Sequence, residues 1–121
     1  MEIKIIGDDF CVCKIDDIKK VNFKDEFVFV SKTDEELSLV CKKEYAPKDT
    51  IKISCGYTAF RIEGELDFSL IGILANISAI LAKEKISIFA ISTYNTDYVL
   101  VSTEKKELAI NALKNNGYII K

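Results

Sequence analysis

The sequence contains no histidine and no tryptophan, and it has one proline among its 121 residues. Without histidine, the chain cannot form a Cys–His pair, a Ser–His–Asp triad or a zincin site. No apolar run reaches the roughly 18 residues that span a bilayer, so no membrane insertion is expected. Residues 1–4 lack the basic and apolar regions of a signal peptide, and a cytoplasmic location is therefore expected.

The charge balance is close to neutral, with a formal net charge of −2 and an isoelectric point near 5.2. Binding to nucleic acid usually requires a basic stripe, so no nucleic-acid partner is expected. Apolar residues make up 49% of the chain, enough for a sizeable core. This length fits one compact domain or two very small ones.

Four cysteines are present, Cys11, Cys13, Cys41 and Cys55. A cytosolic chain that can bury an ordinary core is not expected to carry a disulfide framework. A zinc site is the alternative, but the paired C-x₂-C spacing of zinc modules is missing. The pattern favours small buried apolar residues, with no metal and no cofactor.

The C-terminal half follows the order β-α-β-β-α-β, which is the ferredoxin-like topology. Strands are predicted at residues 58–63, 86–91, 98–101 and 118–120, the second of them buried. A first helix, capped by Asp67 or Ser69, is predicted from its apolar spacing: Leu70, Ile73, Leu74, Ile77, Ile80 and Leu81. A second helix is predicted over residues 104–116, with these residues facing inward: Leu108, Ala109, Ala112 and Leu113.

The N-terminal half has weak helical periodicity, and short strands are predicted at residues 3–6, 10–15, 27–30, 37–41 and 51–54. Residues 27–41 align without a gap to residues 88–102, which places Ser31 on Ser92 and Glu36 on Asp97. Such a repeat indicates two similar subdomains, although chance similarity between two hairpins is the alternative. The predicted division is a degenerate unit at 1–57 and a complete one at 58–121.

Two loops carry the candidate functional residues. Gly72 is placed in the first turn of the first helix, where glycine costs up to about 1 kcal/mol relative to alanine. Close approach of a ligand or partner strand would explain it, and so would tight packing of the helix on the sheet. In the polar loop 92–98, Asp97 could pair with a ligand ammonium covered by Tyr94, or it could simply cap the turn.

Residues 64–74 and 86–101 together resemble the amino-acid-binding ACT domain. They resemble more narrowly the tandem-ACT proteins related to the animal cytosolic arginine sensors, and residues 33–41 resemble the first, degenerate ACT unit of that group. The resemblance implies an α+β fold of two ferredoxin-like, ACT-type βαββαβ units, the N-terminal one degenerate. Their sheets would be antiparallel, with helices on one face.

The resemblance implies an amino-acid-binding regulatory or sensor module without catalytic activity, which binds its ligand at an interface between ACT units and forms a homodimer. Carried over by position, the ligand-binding residues are Ser69, Leu70, Ile71, Gly72, Tyr94, Thr96 and Asp97. The arginine sensors have an acidic residue before the glycine, whereas Leu70 and Ile71 stand here, so the resemblance does not name the amino acid. The alternative function is a structural module that dimerises through its sheets or helices without a ligand.

Overall fold

The computed structural model describes residues 1–63 and 72–121. Within these ranges the strands are β1 (Glu2–Ile15), β2 (Phe29–Lys32), β3 (Leu37–Lys42), β4 (Lys52–Ile62), β5 (Phe89–Ser92), β6 (Asp97–Ser102) and β7 (Ile119–Ile120). The α-helices are α1 (Ile73–Lys83) and α2 (Lys106–Asn115), and short 3₁₀ helices lie at Ile18–Lys20, Lys43–Tyr45 and Thr103–Lys105. This is the predicted α+β fold with antiparallel strand pairing.

The chain divides into two compact units. Asp8–Tyr57 form the N-terminal unit, whereas Met1–Gly7 and Thr58–Lys121 form the C-terminal unit. The sequence division assigned residues 1–7 to the first unit, and the structure groups them with the second. Strands β1 and β4 each contribute residues to both units.

Two long strands replace two pairs of predicted short ones. β1 continues through Asp9, which has a φ of 60°, and β4 continues through Gly56, which has a φ of 91°. A positive φ inside a strand can mark a local irregularity of the β-bulge type and need not end the strand. The separate strands predicted at 3–6 and 10–15, and at 51–54 and 58–63, were therefore wrong.

The N-terminal unit has the strand order β4–β1–β3–β2, the ferredoxin-like arrangement. β3 pairs antiparallel with β1, with Leu37 opposite Ile15, and β2 pairs antiparallel with β3. At the two positions where the fold places helices, this unit has the 3₁₀ turns Ile18–Lys20 and Lys43–Tyr45, neither of which buries a residue. The missing apolar periodicity of the sequence thus corresponds to missing α-helices in a degenerate unit.

The C-terminal unit has the strand order β1–β4–β6–β5. A ferredoxin-like unit would place its last strand, here β7, beside its first, here β4. The first residues of β1 occupy that position instead. This is shown by the Glu63 N–H, which donates a 2.9 Å hydrogen bond to the carbonyl of Glu2. β7 pairs in parallel with the other edge of β1, with Ile120 opposite Ile3.

The core of the C-terminal unit lies between its strands and its two helices. Its fully buried members include Ile77 and Leu81 of α1 and Leu113 of α2. Two inward assignments were wrong. Leu108 is 40% exposed while Ile110 is buried, and β5 begins at Phe89 as an end strand that is mostly exposed rather than buried.

Equivalent elements of the two units lie 60 residues apart. This separation relates β2 to β5, β3 to β6, and the 3₁₀ turn Lys43–Tyr45 to Thr103–Lys105. The strand registers repeat as well, since Val30 faces Leu39 and Ala90 faces Val99. The sequence alignment, with a separation of 61, was wrong by one residue because the aligned strands are apolar on both faces and a slip leaves the pattern almost unchanged.

A disulfide joins Cys11 to Cys55, with 4.0 Å between their Cα atoms. The expectation that the cysteines form no disulfide was wrong. The two residues are 44 positions apart in sequence, and the pairing of β1 with β4 brings them together. Cys13 and Cys41 are free and buried, as predicted.

Candidate functional site

The end of β4 and the turn between β5 and β6 meet at one end of the strands of the C-terminal unit. β4 ends at Ile62, α1 begins at Ile73, and the turn between β5 and β6 covers residues 93–96. The Thr96 hydroxyl donates a 2.6 Å hydrogen bond to the carbonyl of Ile62, which fixes this turn beside the end of β4.

Gly72 is the N-cap residue of α1, with φ 84° and ψ 9°. Its carbonyl accepts the first helical hydrogen bond, from the N–H of Asn76 at 2.8 Å. A Cβ at this position would meet no described atom within 4 Å, so neither tight packing nor a close neighbour within the described chain requires glycine. The left-handed conformation requires it, because side chains other than glycine rarely adopt such φ values.

The helix therefore begins at Ile73, and the prediction that Gly72 lies inside the first turn was wrong. The N-terminus of α1 exposes backbone N–H groups, which favour an anion. Predicted site residues Ser69, Leu70 and Ile71, and the predicted cap Asp67, lie outside the described residues.

Thr96 closes the 93–96 turn and links it to β4. Its carbonyl accepts from both the N–H and the hydroxyl of Thr93, each at 2.9 Å. Thr96 itself is buried, at 7% exposure, and its hydroxyl proton is committed to Ile62. Thr96 is predicted from the sequence as a ligand contact, and this structural hydrogen bond leaves no sequence signal because its partner is a backbone carbonyl 34 residues away.

Replacing Thr96 by valine is expected to lower the free energy of unfolding by about 1–3 kcal/mol, because it leaves the buried carbonyl of Ile62 without its donor. Denaturant unfolding would measure the change. Thr50→Val, the same substitution at a half-buried position whose hydroxyl has no hydrogen-bond partner among the described residues, is expected to cost less than about 1 kcal/mol. Equal losses in both variants would contradict a special role for the buried bond.

Asp97 is the first residue of β6 and pairs with Ser92 across the hairpin. It is half-buried, and its carboxylate has no hydrogen-bond or ion-pair partner among residues 1–63 and 72–121. The turn before it is closed by Thr93 and Thr96, so Asp97 is not needed as its cap. Tyr94, at the tip of the same turn, is 88% exposed.

A second polar cluster, which the sequence analysis did not identify, joins β4 to β6. The Arg61 guanidinium contacts the Glu63 carboxylate at 3.2 Å. Hydrogen bonds to Tyr98 and to Glu63 raise the pKa of Arg61. The opposite charges at positions i and i+2 of a predicted strand were the available signal, since such residues share a face.

The cavity found in the described core of this unit is too small for a ligand. A cavity of about 10 Å³ lies among apolar side chains that include Phe60, Ile77 and Leu113. Small-molecule pockets are usually at least about 300 Å³, so this cavity cannot hold an amino acid. Gly72, which is exposed, and Asp97, which is half-buried, remain as the candidate site positions.

The described residues contain no group of three or more histidine, cysteine or acidic side chains arranged to hold a metal ion. Among the same residues, no helix has both the length and the apolar character needed to cross a membrane.

Two protein-family models match most of the chain. A family model described as the ACT domain matches residues 52–115, and a second model, for an N-terminal domain, matches residues 8–49. No curated protein matches the sequence.

Three solved structures resemble the fold. A protein from Agobacterium tumefaciens is 26% identical, with a TM-score of 0.88 over 99% of this chain and 91% of that one. The ligand-free regulatory subunit of aspartate kinase from Thermus thermophilus is 12% identical, with a TM-score of 0.65 over 93% and 95%. Aspartate kinase from Clostridium acetobutylicum, described as an allosteric enzyme, is 16% identical, with a TM-score of 0.68 over 90% of this chain and 33% of the enzyme.

Proposed function

Because the chain belongs to the ACT domain family, we propose that it is a regulatory module that binds a free amino acid and catalyses no reaction itself. The observation that carries the proposal is the ACT match over residues 52–115 together with a half-buried carboxylate, Asp97, that has no partner among the described residues. Two structures of the same fold are a regulatory subunit and an allosteric enzyme, which agrees with a regulatory role.

In the proposed site, the carboxylate and the ammonium of an amino acid each meet a group of opposite charge or partial charge. The ligand carboxylate would lie at the N-terminus of α1, against backbone N–H groups of the segment Ser69, Leu70, Ile71 and Gly72, where the helix dipole favours an anion. The ammonium or a cationic side chain would meet Asp97. Tyr94, at the tip of the turn, and Thr96, at its last position, are close to this carboxylate in sequence.

The site is proposed to lie at an interface between ACT units, in a homodimer. β5 is the observation that supports such an interface, because this end strand exposes Phe89, at 38%, and Ala90. An exposed apolar end strand offers unpaired backbone groups to a second chain. The same strand supports the alternative function, a protein-interaction module that dimerises without a ligand.

A cytoplasmic location and a relation to the cytosolic arginine sensors belong to the same proposal. In a reducing compartment a disulfide such as Cys11–Cys55 is transient and usually serves redox sensing, whereas an oxidising compartment would preserve it. Fractionation of the source cells with a specific antibody would test the location.

A thermal-shift screen with the free amino acids tests the function. We expect at least one of them to raise the melting temperature, since a ligand that binds only the folded state at 100 times its Kd adds about 2.7 kcal/mol. Asp97→Asn should weaken that response at least about tenfold in concentration, as expected for a lost charge-assisted contact.

Glu36→Gln, a neutralised acid in the equivalent exposed turn of the N-terminal unit, should respond like the wild type. If no amino acid shifts the wild type, and sedimentation shows a dimer regardless of ligand, the interaction module replaces the sensor. If Asp97→Asn responds like the wild type, ligand binding stands but the site is misplaced.

A further inference from the structure

All four cysteines of the chain lie together in the N-terminal unit. Cys11 and Cys13 alternate along β1, so their side chains share a face, and both are buried. Cys41 of β3 belongs to the same buried cluster. Cys55 of β4 is bonded to Cys11 from the other side of β1.

Cys41 stands directly opposite Cys11 in the β1–β3 register. Residues directly opposite in an antiparallel pair point to the same face, with Cα atoms about 4.5 or 5.5 Å apart. Disulfides form at Cα separations of roughly 4.4–6.8 Å. The Cys11 sulfur therefore has two potential partners, Cys55 on one neighbouring strand and the thiol of Cys41 on the other.

The two potential partners differ in exposure. Cys55 is exposed to solvent, whereas Cys41 is 1% exposed and Cys11 is fully buried. A bond from Cys11 to Cys41 would lie wholly inside the unit and would leave the exposed residue as a free thiol. The choice of partner thus decides whether the unit presents a reactive sulfur at its surface.

We propose that the N-terminal unit is an internal thiol–disulfide switch in which Cys41 displaces Cys55 from Cys11. The Cys41 thiolate attacks the Sγ atom of Cys11, the bond from Cys11 to Cys55 breaks, and a bond from Cys11 to Cys41 forms. Cys55 leaves as a thiolate and takes up, through solvent, the proton that Cys41 released. One disulfide is present before and after, so the step requires neither oxidant nor reductant.

The surroundings of Cys41 make this exchange slow at neutral pH. Burial, the adjacent Cys13 and the negative charge of Asp25 raise the pKa of Cys41 to about 12. The Cys41 thiol donates a hydrogen bond to the sulfur of Cys13, and one oxygen of the Asp25 carboxylate is buried without a partner among the described residues. Only the thiolate attacks. A conformational change that exposes Cys41 to solvent would therefore favour its thiolate and speed the exchange.

The switch would determine which strand is covalently held to β1. In one state the bond joins β1 to β4, and in the other it joins β1 to β3. The exposed first half of β4, residues 52–55, is released from its covalent tie in the second state. The Cys55 thiol would then be open to modification by disulfides such as oxidised glutathione.

Disulfide mapping tests the exchange. The oxidised wild type is incubated in mildly alkaline buffer, alkylated with N-ethylmaleimide, digested without reductant and analysed by mass spectrometry. We expect a Cys11–Cys41 peptide that grows with time while alkylated Cys55 appears in equal amount. Cys41→Ala should keep only the Cys11–Cys55 bond, and Cys13→Ala should still exchange.

Cys55→Ser is a small change at an exposed position. It tests whether Cys11 and Cys41 can form a bond, independently of the rate at which Cys41 displaces Cys55. With oxidised glutathione under native conditions, we expect this variant to form the Cys11–Cys41 bond while its circular dichroism stays that of the wild type. The proposal is overturned if the wild type retains only Cys11–Cys55, whatever this variant does. A product pairing Cys13 with any other cysteine would overturn it as well.

Discussion

Reduction of the Cys11–Cys55 disulfide is expected to lower the free energy of unfolding of the N-terminal unit by about 4 kcal/mol. The bond closes a loop between residues 44 positions apart, and the loss follows from the loop entropy that the unfolded chain regains. The effect is large for this unit because its two turns Ile18–Lys20 and Lys43–Tyr45 bury nothing, so its small core contains no helical residue. Denaturant unfolding with and without dithiothreitol would measure it, with amide hydrogen exchange assigning the loss to residues 8–57.

Cys55→Ser in the same reductant provides the control. Its stability should match that of the reduced wild type within about 0.5 kcal/mol, because an exposed thiol and an exposed hydroxyl differ little. A reduction that changes stability by less than 1 kcal/mol would show that the unit is held by its sheet alone.

Leu81→Ala is expected to destabilise the C-terminal unit by about 3 kcal/mol, within the usual range for truncating a buried leucine. Leu81 is 1% exposed and packs in the cluster that holds Ile77 and Leu113. It also lines the small core cavity, so the truncation would enlarge an existing void rather than create one at a close-packed position. Urea unfolding followed by far-ultraviolet circular dichroism would measure the loss.

Leu108→Ala is the matched control, the same substitution in the other helix at a position that is 40% exposed. Its expected cost is below about 1 kcal/mol, because much of the side chain already contacts water. Similar losses for the two variants would mean that the core assignment of α1 is incorrect.

Local patterns made much of the C-terminal unit predictable. The apolar residues of α1 recur at helical spacing and α2 has small apolar residues on one face, so both helices were placed from sequence within a few residues. Leu108 was misassigned because it borders the apolar stripe, and only the packing of the helix distinguishes it from Ile110. The general rule is that periodicity locates a helix better than it fixes the edge of its buried face.

Long-range pairing was not predictable. The Cys11–Cys55 bond and the placement of residues 1–7 in the C-terminal unit depend on which strands become neighbours, and no local pattern encodes that choice. The one-residue error in the alignment of the repeat has the same origin. When a strand is apolar on both faces, its sequence does not fix the register, which is set by pairing in the sheet.

For the candidate site, the sequence identified positions but not conformations. Gly72 was singled out correctly as unusual, yet its reason is a left-handed N-cap rather than contact with a neighbour. Thr96 was singled out for its polarity, whereas its hydroxyl donates a hydrogen bond to the carbonyl of Ile62. Backbone partners distant in sequence leave no signature in residue types, which explains both differences.

The membership of residues 1–7 in the C-terminal unit governs how the gene can be divided. A truncation that begins at Thr58 would keep the ACT helices but discard Ile3, which is 2% exposed in their core, and would remove the only strand with which β7 pairs in the described structure. A permuted gene could avoid this loss by joining the end of the chain to residues 1–7, but because β7 runs parallel to β1 the linker would have to return along the strand and would need about a dozen residues or more. The C-terminal unit is therefore complete only when residues 1–7 accompany residues 58–121.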